Sequence, residues 1–165
     1  MKKELPYCMT GKAIKGYNES VIAKGETNDC VVRAFASCFE LSYDKAHKYV
    51  KEKFGRKDRQ GTYGTVITMM NLVLNRTQVN YKRIKRLGTP QLSHLHYSLQ
   101  YSVKTKGSLI FRNMTVGTFI KKNPVGTFFI LVKGHAFTIK DGVVIGNYED
   151  AQKPRRVMLH AFEIK

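Results

Sequence analysis

The chain has 165 residues and a mass of 18.9 kDa, with 29 Lys and Arg against 12 Asp and Glu, a formal net charge of +17. That length suits a single domain spanning 1–165 with a full core, and 42% hydrophobic residues exclude a disordered basic tail. No apolar run approaches the roughly 20 residues that span a bilayer, Met1-Lys2-Lys3-Glu4-Leu5-Pro6 lacks the apolar centre of a secretory signal, and three cysteines do not read as a disulfide framework, so free thiols and a cytoplasmic location are expected.

Residues 1–27, with Gly11, Gly16 and Gly25 among polar neighbours, read as a loop-rich N-terminal segment. Asn28-Asp29 then precedes an apolar-rich stretch from Cys30 to Phe39. Asn or Asp at that point marks a helix start, because its side-chain oxygen can accept an orphan N–H of the first turn. Val31, Ala34, Phe35, Cys38 and Phe39 recur at helical spacing, predicting a buried stripe. A second helix is predicted from Tyr43 to Phe54, after Ser42 and closed by Gly55, and a third within Gly64–Leu74.

From residue 59 to 140 there are 13 basic residues and no Asp or Glu, so these cations lack acidic neighbours in sequence and one face must be strongly positive. Arg76, Lys82, Arg83, Lys85, Arg86, Lys104 and Lys106 are its densest members, with Tyr81, Tyr97 and Tyr101 beside them for stacking. A solvated face that keeps the chain soluble is the simplest reading. The functional alternative is attraction to nucleic acid or to an acidic protein surface, although no nucleic-acid-binding signature motif is present.

Beyond this point the pattern changes. Thr115 to Asn123, ahead of Pro124, predicts a short helix capped by Thr115. Thr127–Val132, His135–Lys140, Val143–Ile145 and Val157–Ile164 predict strands, with Lys133-Gly134 and Asp141-Gly142 as hairpin turns. Helices followed by an antiparallel meander define an α+β fold.

Cys30 falls in the first turn of a predicted helix, where the positive end of the helix dipole favours a thiolate and free N–H groups can hold an oxyanion. Cys38 lies on the apolar stripe and reads as a small buried hydrophobe. A nucleophilic thiol needs a base, usually a His from elsewhere in the chain. His47 has lysine neighbours and reads as a surface residue. His94 and His96 stand two apart, a spacing suited to a metal, but no cysteine or carboxylate is near. His160 sits in the terminal strand, whereas His135 follows Gly134 at the mouth of an apolar strand, where a substrate has room to approach its ring.

Asn28-Asp29-Cys30-Val31-Val32-Arg33-Ala34 resembles the nucleophile segment of papain-like cysteine peptidases, nearest the ovarian-tumour-type deubiquitinases. Gly134-His135-Ala136-Phe137-Thr138-Ile139 resembles the strand that brings their catalytic imidazole. Thr115 to Asp150 is also similar to small bacteriophage-encoded papain-like proteins. The resemblance covers residues 28–55 and 115–150. It implies a papain-like domain with N-terminal helices on a C-terminal antiparallel meander. Cys30 would attack, His135 would shuttle the proton, and Asn28 or Asp29 would assist the backbone N–H of Cys30 at the oxyanion. The phage pattern continues after its Asp-Gly hairpin with an orienting Asp. Here the register puts Gly146 at that point, with Asn147 next and Asp150 beyond, so Asn147 is expected to hold the imidazole.

The implied function is a thiol-dependent hydrolase of peptide or isopeptide bonds, using no metal or organic cofactor and acting in a host cytoplasm if phage-encoded. The alternative is an inert papain-fold binding protein that docks through its basic face on nucleic acid or an acidic host protein. Neither reading needs a membrane.

Overall fold

The structure, a computed structural model, describes residues 4–62, 82–85 and 97–165, with the side chains of 82–85, 97 and 98 excepted. In chain order its elements are β1 (Tyr7–Met9), α1 (Thr10–Ala13), α2 (Val21–Gly25), α3 (Cys30–Cys38), α4 (Tyr43–Phe54), β2 (Lys82–Lys85), β3 (Tyr97–Thr105), β4 (Ser108–Asn113), α5 (Val116–Lys122), β5 (Thr127–Val132), β6 (His135–Lys140), β7 (Val143–Gly146), α6 (Tyr148–Ala151) and β8 (Met158–Ile164). The predicted helix within Gly64–Leu74, together with Arg76, Tyr81, Arg86, His94 and His96, lies outside the described residues.

Five strands form the main sheet in the order β1-β7-β6-β5-β8. All its pairs are antiparallel except β1 with β7, where Tyr7, Cys8 and Met9 run beside Val144, Ile145 and Gly146. This parallel edge strand, with the short helices α1 and α2, lies within the segment 1–27 that was expected to be loop-rich. Three residues are too few to show an alternation, and their partner is over 100 residues away in sequence. The Asp141-Gly142 turn has positive φ at both residues, 47° and 77°, the backbone twist that suits a two-residue hairpin. The fold is α+β, with an antiparallel-rich sheet.

Alternation along the strands assigns the two faces of the sheet. Phe129, Ala136 and Phe162 point to a core shared with Val32, Phe35 and Ala36 of α3 and Tyr43, Ala46 and Val50 of α4. Phe128, Ile130, Phe137 and Met158 point to the opposite core, closed by Phe119 of α5 and Leu99 of β3. Both helical faces follow from sequence: α3 carries apolar residues at helical spacing, and α4 ends at Gly55 with φ 64°, a left-handed stop. Fully burying a side chain such as Phe35 stabilises by about 1.5–3 kcal/mol.

The contact that fixes α3 on the sheet is polar. Thr138 of β6 donates to the carbonyl of Ala34 at 3.0 Å and meets Ser37 Oγ at 2.6 Å and Cys38 Sγ at 3.2 Å. It locks the axial position of α3 along β6, and hence where Cys30 stands relative to His135.

A second sheet, β2-β3-β4, is antiparallel and was not predicted. It joins the main sheet beyond β8, through hydrogen bonds from Met114 N–H to Leu99 O and from Met158 N–H to Met114 O. Among the described residues no helix is long and apolar enough to cross a membrane.

Candidate active site

Two ends of secondary structure meet at one point: the first residue of α3, Cys30, and the first residue of β6, His135. Cys30 is half-buried, and its thiol is electrostatically coupled to the His135 imidazole. On the other side of the ring, His135 Nε2 lies 2.9 Å from Asp150 Oδ2, which leaves Nδ1 as the nitrogen for the thiol. The Asp150 side chain is only 2% exposed, against 18% for His135.

The acid is aimed by a local device. Asn147 precedes α6 as its N-cap and Asp150 is the third residue of that helix, forming a reciprocal capping box. The Asp150 carboxylate therefore turns back, accepting the Asn147 N–H at 2.9 Å, and reaches the end of β7. Its other oxygen accepts from Arg156 Nη1 at 2.9 Å. Asn147, expected to hold the imidazole, does not: its Oδ1 accepts from Arg33 Nη1 at 2.6 Å. The residue against the imidazole is Asp150, three positions further on. The expected register pointed at this turn, and the side chain that the turn sets against the ring is Asp150, not Asn147.

Electrostatics follow this geometry. Burial alone would raise the Cys30 thiol, but the hydrogen bond and charge of His135, the Ala136 N–H and the charge of Arg33 bring it below the ordinary thiol value. Burial would lower His135, yet its hydrogen bonds to Asp150 and Cys30 hold it up at about 9. Burial also opposes ionisation of Asp150, and the bonds from His135 and the Asn147 N–H overcome it, so its carboxyl sits below the usual range. All three directions favour a thiolate–imidazolium pair backed by a carboxylate. Cys38, sealed between α3 and β6, is pushed up by burial to about 12 and stays an inert thiol.

The two oxyanion candidates part ways. Asp29 is buried, and its carboxylate accepts from Tyr43 OH at 2.8 Å and pairs with Arg33 Nε at 3.0 Å, so it has no donor to offer. Those two bonds draw its side chain away from the helix, and α3 has no side-chain cap. The first-turn N–H groups beside Cys30 are thus left for a ligand. Asn28 is exposed, with φ 54°, and its Nδ2 is 3.5 Å from the carbonyl of Arg59.

The loop before Cys30 is clasped by residues the sequence did not single out. Glu26 accepts from Arg56 Nη2 at 2.7 Å and from the Arg59 N–H at 2.8 Å, and it lies 2.7 Å from His47 Nε2. His47 is therefore buried, not on the surface as its lysine neighbours suggested. Its helix position faces Glu26 and Arg56, which are distant in sequence. Asp58 completes a trio with Glu26 and His47 of the kind that can hold a metal. The Arg56 guanidinium, with no exposed side-chain surface, already neutralises Glu26, so these residues form an ion-paired clasp.

Of the basic residues singled out, Lys104 and Lys106 are exposed on β3 and at its hairpin tip. Lys82, Arg83 and Lys85 lie on β2. Tyr101 is half-buried against the second core with Lys122 Nζ 4.8 Å from its ring centroid, so its ring is covered. Comparison with family models, with curated proteins and with solved structures finds no match to this chain.

Proposed function

We propose that the protein is a thiol-dependent acyl hydrolase of papain-like type, acting on an amide or isopeptide bond. The observation that carries this reading is the meeting of Cys30, at the start of α3, with His135, at the start of β6, whose imidazole lies 2.9 Å from the buried Asp150. In the proposed reaction, the Cys30 sulfur attacks the substrate carbonyl carbon. The first-turn N–H groups of α3 hold the resulting oxyanion. The imidazolium gives its proton to the departing amine, which leaves with the bonding pair, and a thioester remains on Cys30. His135 then takes a proton from water as it attacks the thioester, the acid is released and the thiol is restored. Asp150 keeps the imidazole oriented and stabilises its charge throughout.

A complete set of nucleophile, base and orienting acid supports a hydrolase over an inert scaffold. The test is capture by peptide-based electrophiles, such as vinyl sulfones, with the modified residue located by mass spectrometry. Selective labelling at Cys30, lost in His135→Ala, is the expected result. Labelling spread equally over Cys8 and Cys30, or turnover that survives Cys30→Ala, overturns the assignment.

A further inference from the structure

The carboxylate behind His135 has two oxygens, and only one of them faces the imidazole. Asp150 Oδ2 meets His135 Nε2 and the Asn147 N–H, whereas Oδ1 accepts from Arg156 Nη1 at 2.9 Å. The Asp150 side chain is 2% exposed and that of Arg156 25%, so the pair lies mostly out of water.

Arg156 stands between α6 and β8, and its backbone is held from both sides. Its N–H donates to the Lys153 carbonyl at 3.0 Å, its carbonyl accepts from the Val116 N–H at 3.0 Å, and Val157 beside it bridges to Thr115. Pro154 O accepts the Gly117 N–H at 2.8 Å, and a Cβ on Gly117 would lie 3.2 Å from that same oxygen. The start of α5 thus fixes the segment from which the guanidinium reaches Asp150.

A buried carboxylate can turn about its Cβ–Cγ bond or take up a proton, and either change removes an acceptor from the imidazole. A guanidinium on the second oxygen opposes both, because its N–H fixes that oxygen and its charge favours the anion. Burial opposes ionisation of Asp150, and the charge of Arg156 adds to the bonds from His135 and the Asn147 N–H that outweigh it. Tyr7 of β1 also feels this carboxylate, but its hydroxyl donates to the Gly146 carbonyl at 3.2 Å.

We propose that Arg156 is a positioning residue of the site, acting through Asp150: it keeps the carboxylate ionised and turned to His135, so that the imidazolium stays aimed at the leaving group. The inference rests on the hydrolase reading above.

The test uses the full chain and a peptide vinyl sulfone. In that capture the Cys30 sulfur adds to the terminal vinyl carbon and the His135 imidazolium protonates the carbanion beside the sulfone, so the rate reads the aim of the ring. Arg156→Met should lower the maximal rate of capture about tenfold with probe affinity unchanged. Arg156→Lys, which keeps a cation on Asp150, should lose less, and it serves the same comparison if Arg156→Met folds poorly. With Asp150→Asn already present, neither change should lower the rate further, since the two side chains act as one unit. A merely structural role would give the same loss in both backgrounds, and that result, or an undiminished rate in Arg156→Met, overturns the proposal. The His135 ring nitrogens are read separately by NMR with no probe bound. Their shifts should change in Arg156→Met but not when Asp150→Asn is already present, and unchanged shifts in Arg156→Met overturn the proposal. Shifts that respond in this way in a chain whose Cys30 is never captured support the role of Arg156 and contradict the hydrolase reading alone.

Discussion

Asp150 Oδ2 lies 2.7 Å from the point that a Cβ on Gly146 would occupy, so the acid fills the space the glycine leaves empty. The Phe137 Cβ, 3.0 Å from the same point, closes the other side. Neither neighbour can yield easily, because the same Asp150 oxygen is held by His135 and by the Asn147 N–H. Gly146→Ala should therefore push the carboxylate off the imidazole. We expect a loss of about 1–3 kcal/mol in urea unfolding, typical of overpacking, and a fall in kcat/KM of about tenfold or more for any substrate found. Full activity in Gly146→Ala would show that Asp150 is not needed where it stands.

Asp150 and Asn147 separate cleanly by mutation. Asp150→Asn leaves a neutral group against the ring and should lower kcat/KM by up to about 10⁴, the loss on neutralising the orienting acid of a catalytic triad. Asn147→Ala removes an N-cap side chain and the bond to Arg33 but leaves the backbone N–H on Asp150. Its cost should be about 1 kcal/mol of stability and less than about tenfold in rate. The opposite order of severity would return the orienting role to Asn147.

Stability against pH carries a second signature. His135 binds its proton more tightly when folded, at about 9, than an unperturbed His at about 6.5. Its contribution is complete below about 6.5 and is lost as pH rises towards 9. The depressed Cys30 thiol acts in the opposite sense over much of that window, so the measurement belongs in Cys30→Ala. Urea unfolding of that variant should show stability declining from about pH 6.5 upward, through the pair His135 retains with Asp150. Adding Asp150→Asn should flatten the curve, and parallel curves would contradict the coupling.

The clasp behind the nucleophile is open to the same treatment. Glu26 is held at about 2, first by its hydrogen bond from Arg56, and Arg56 has no exposed side-chain surface. Glu26→Gln leaves a buried guanidinium without its counter-charge and should cost about 3–5 kcal/mol. Replacing both partners, as Glu26→Gln with Arg56→Met, should cost much less. Additive losses in urea unfolding would mean the two side chains do not act as a pair.

The parts of the fold legible in sequence are those whose signals are local. Helix α3 was announced by Asn28-Asp29 and an apolar stripe, α4 by Ser42 and Gly55, and α5 by Thr115 and Pro124. The β5–β6–β7 meander was announced by its turn residues. Cys30 and His135 could be singled out because each sits at the first residue of such an element. What was missed depends on long-range pairing: three-residue β1, exposed β4, and His47, buried by residues from two other segments. Asp150 lies between these cases. Asn147 followed by an acidic residue three positions on is a capping-box spacing, and that spacing turns the acid back towards β7. The signal was present, but it predicts where a carboxylate points only once the strand before it is known.

The most direct test is the ionisation of Cys30 itself, followed by the pH dependence of its alkylation by iodoacetamide, with peptide mapping to exclude Cys8. The thiol should react with a midpoint below that of an ordinary cysteine, about 8.5. The reactivity should persist as His135 loses its proton near 9, because the thiolate that iodoacetamide attacks remains. His135→Ala should move the midpoint upward to the ordinary value or beyond. A Cys30 that titrates like a free thiol, with no change in His135→Ala, would contradict the assignment of a thiolate–imidazolium pair.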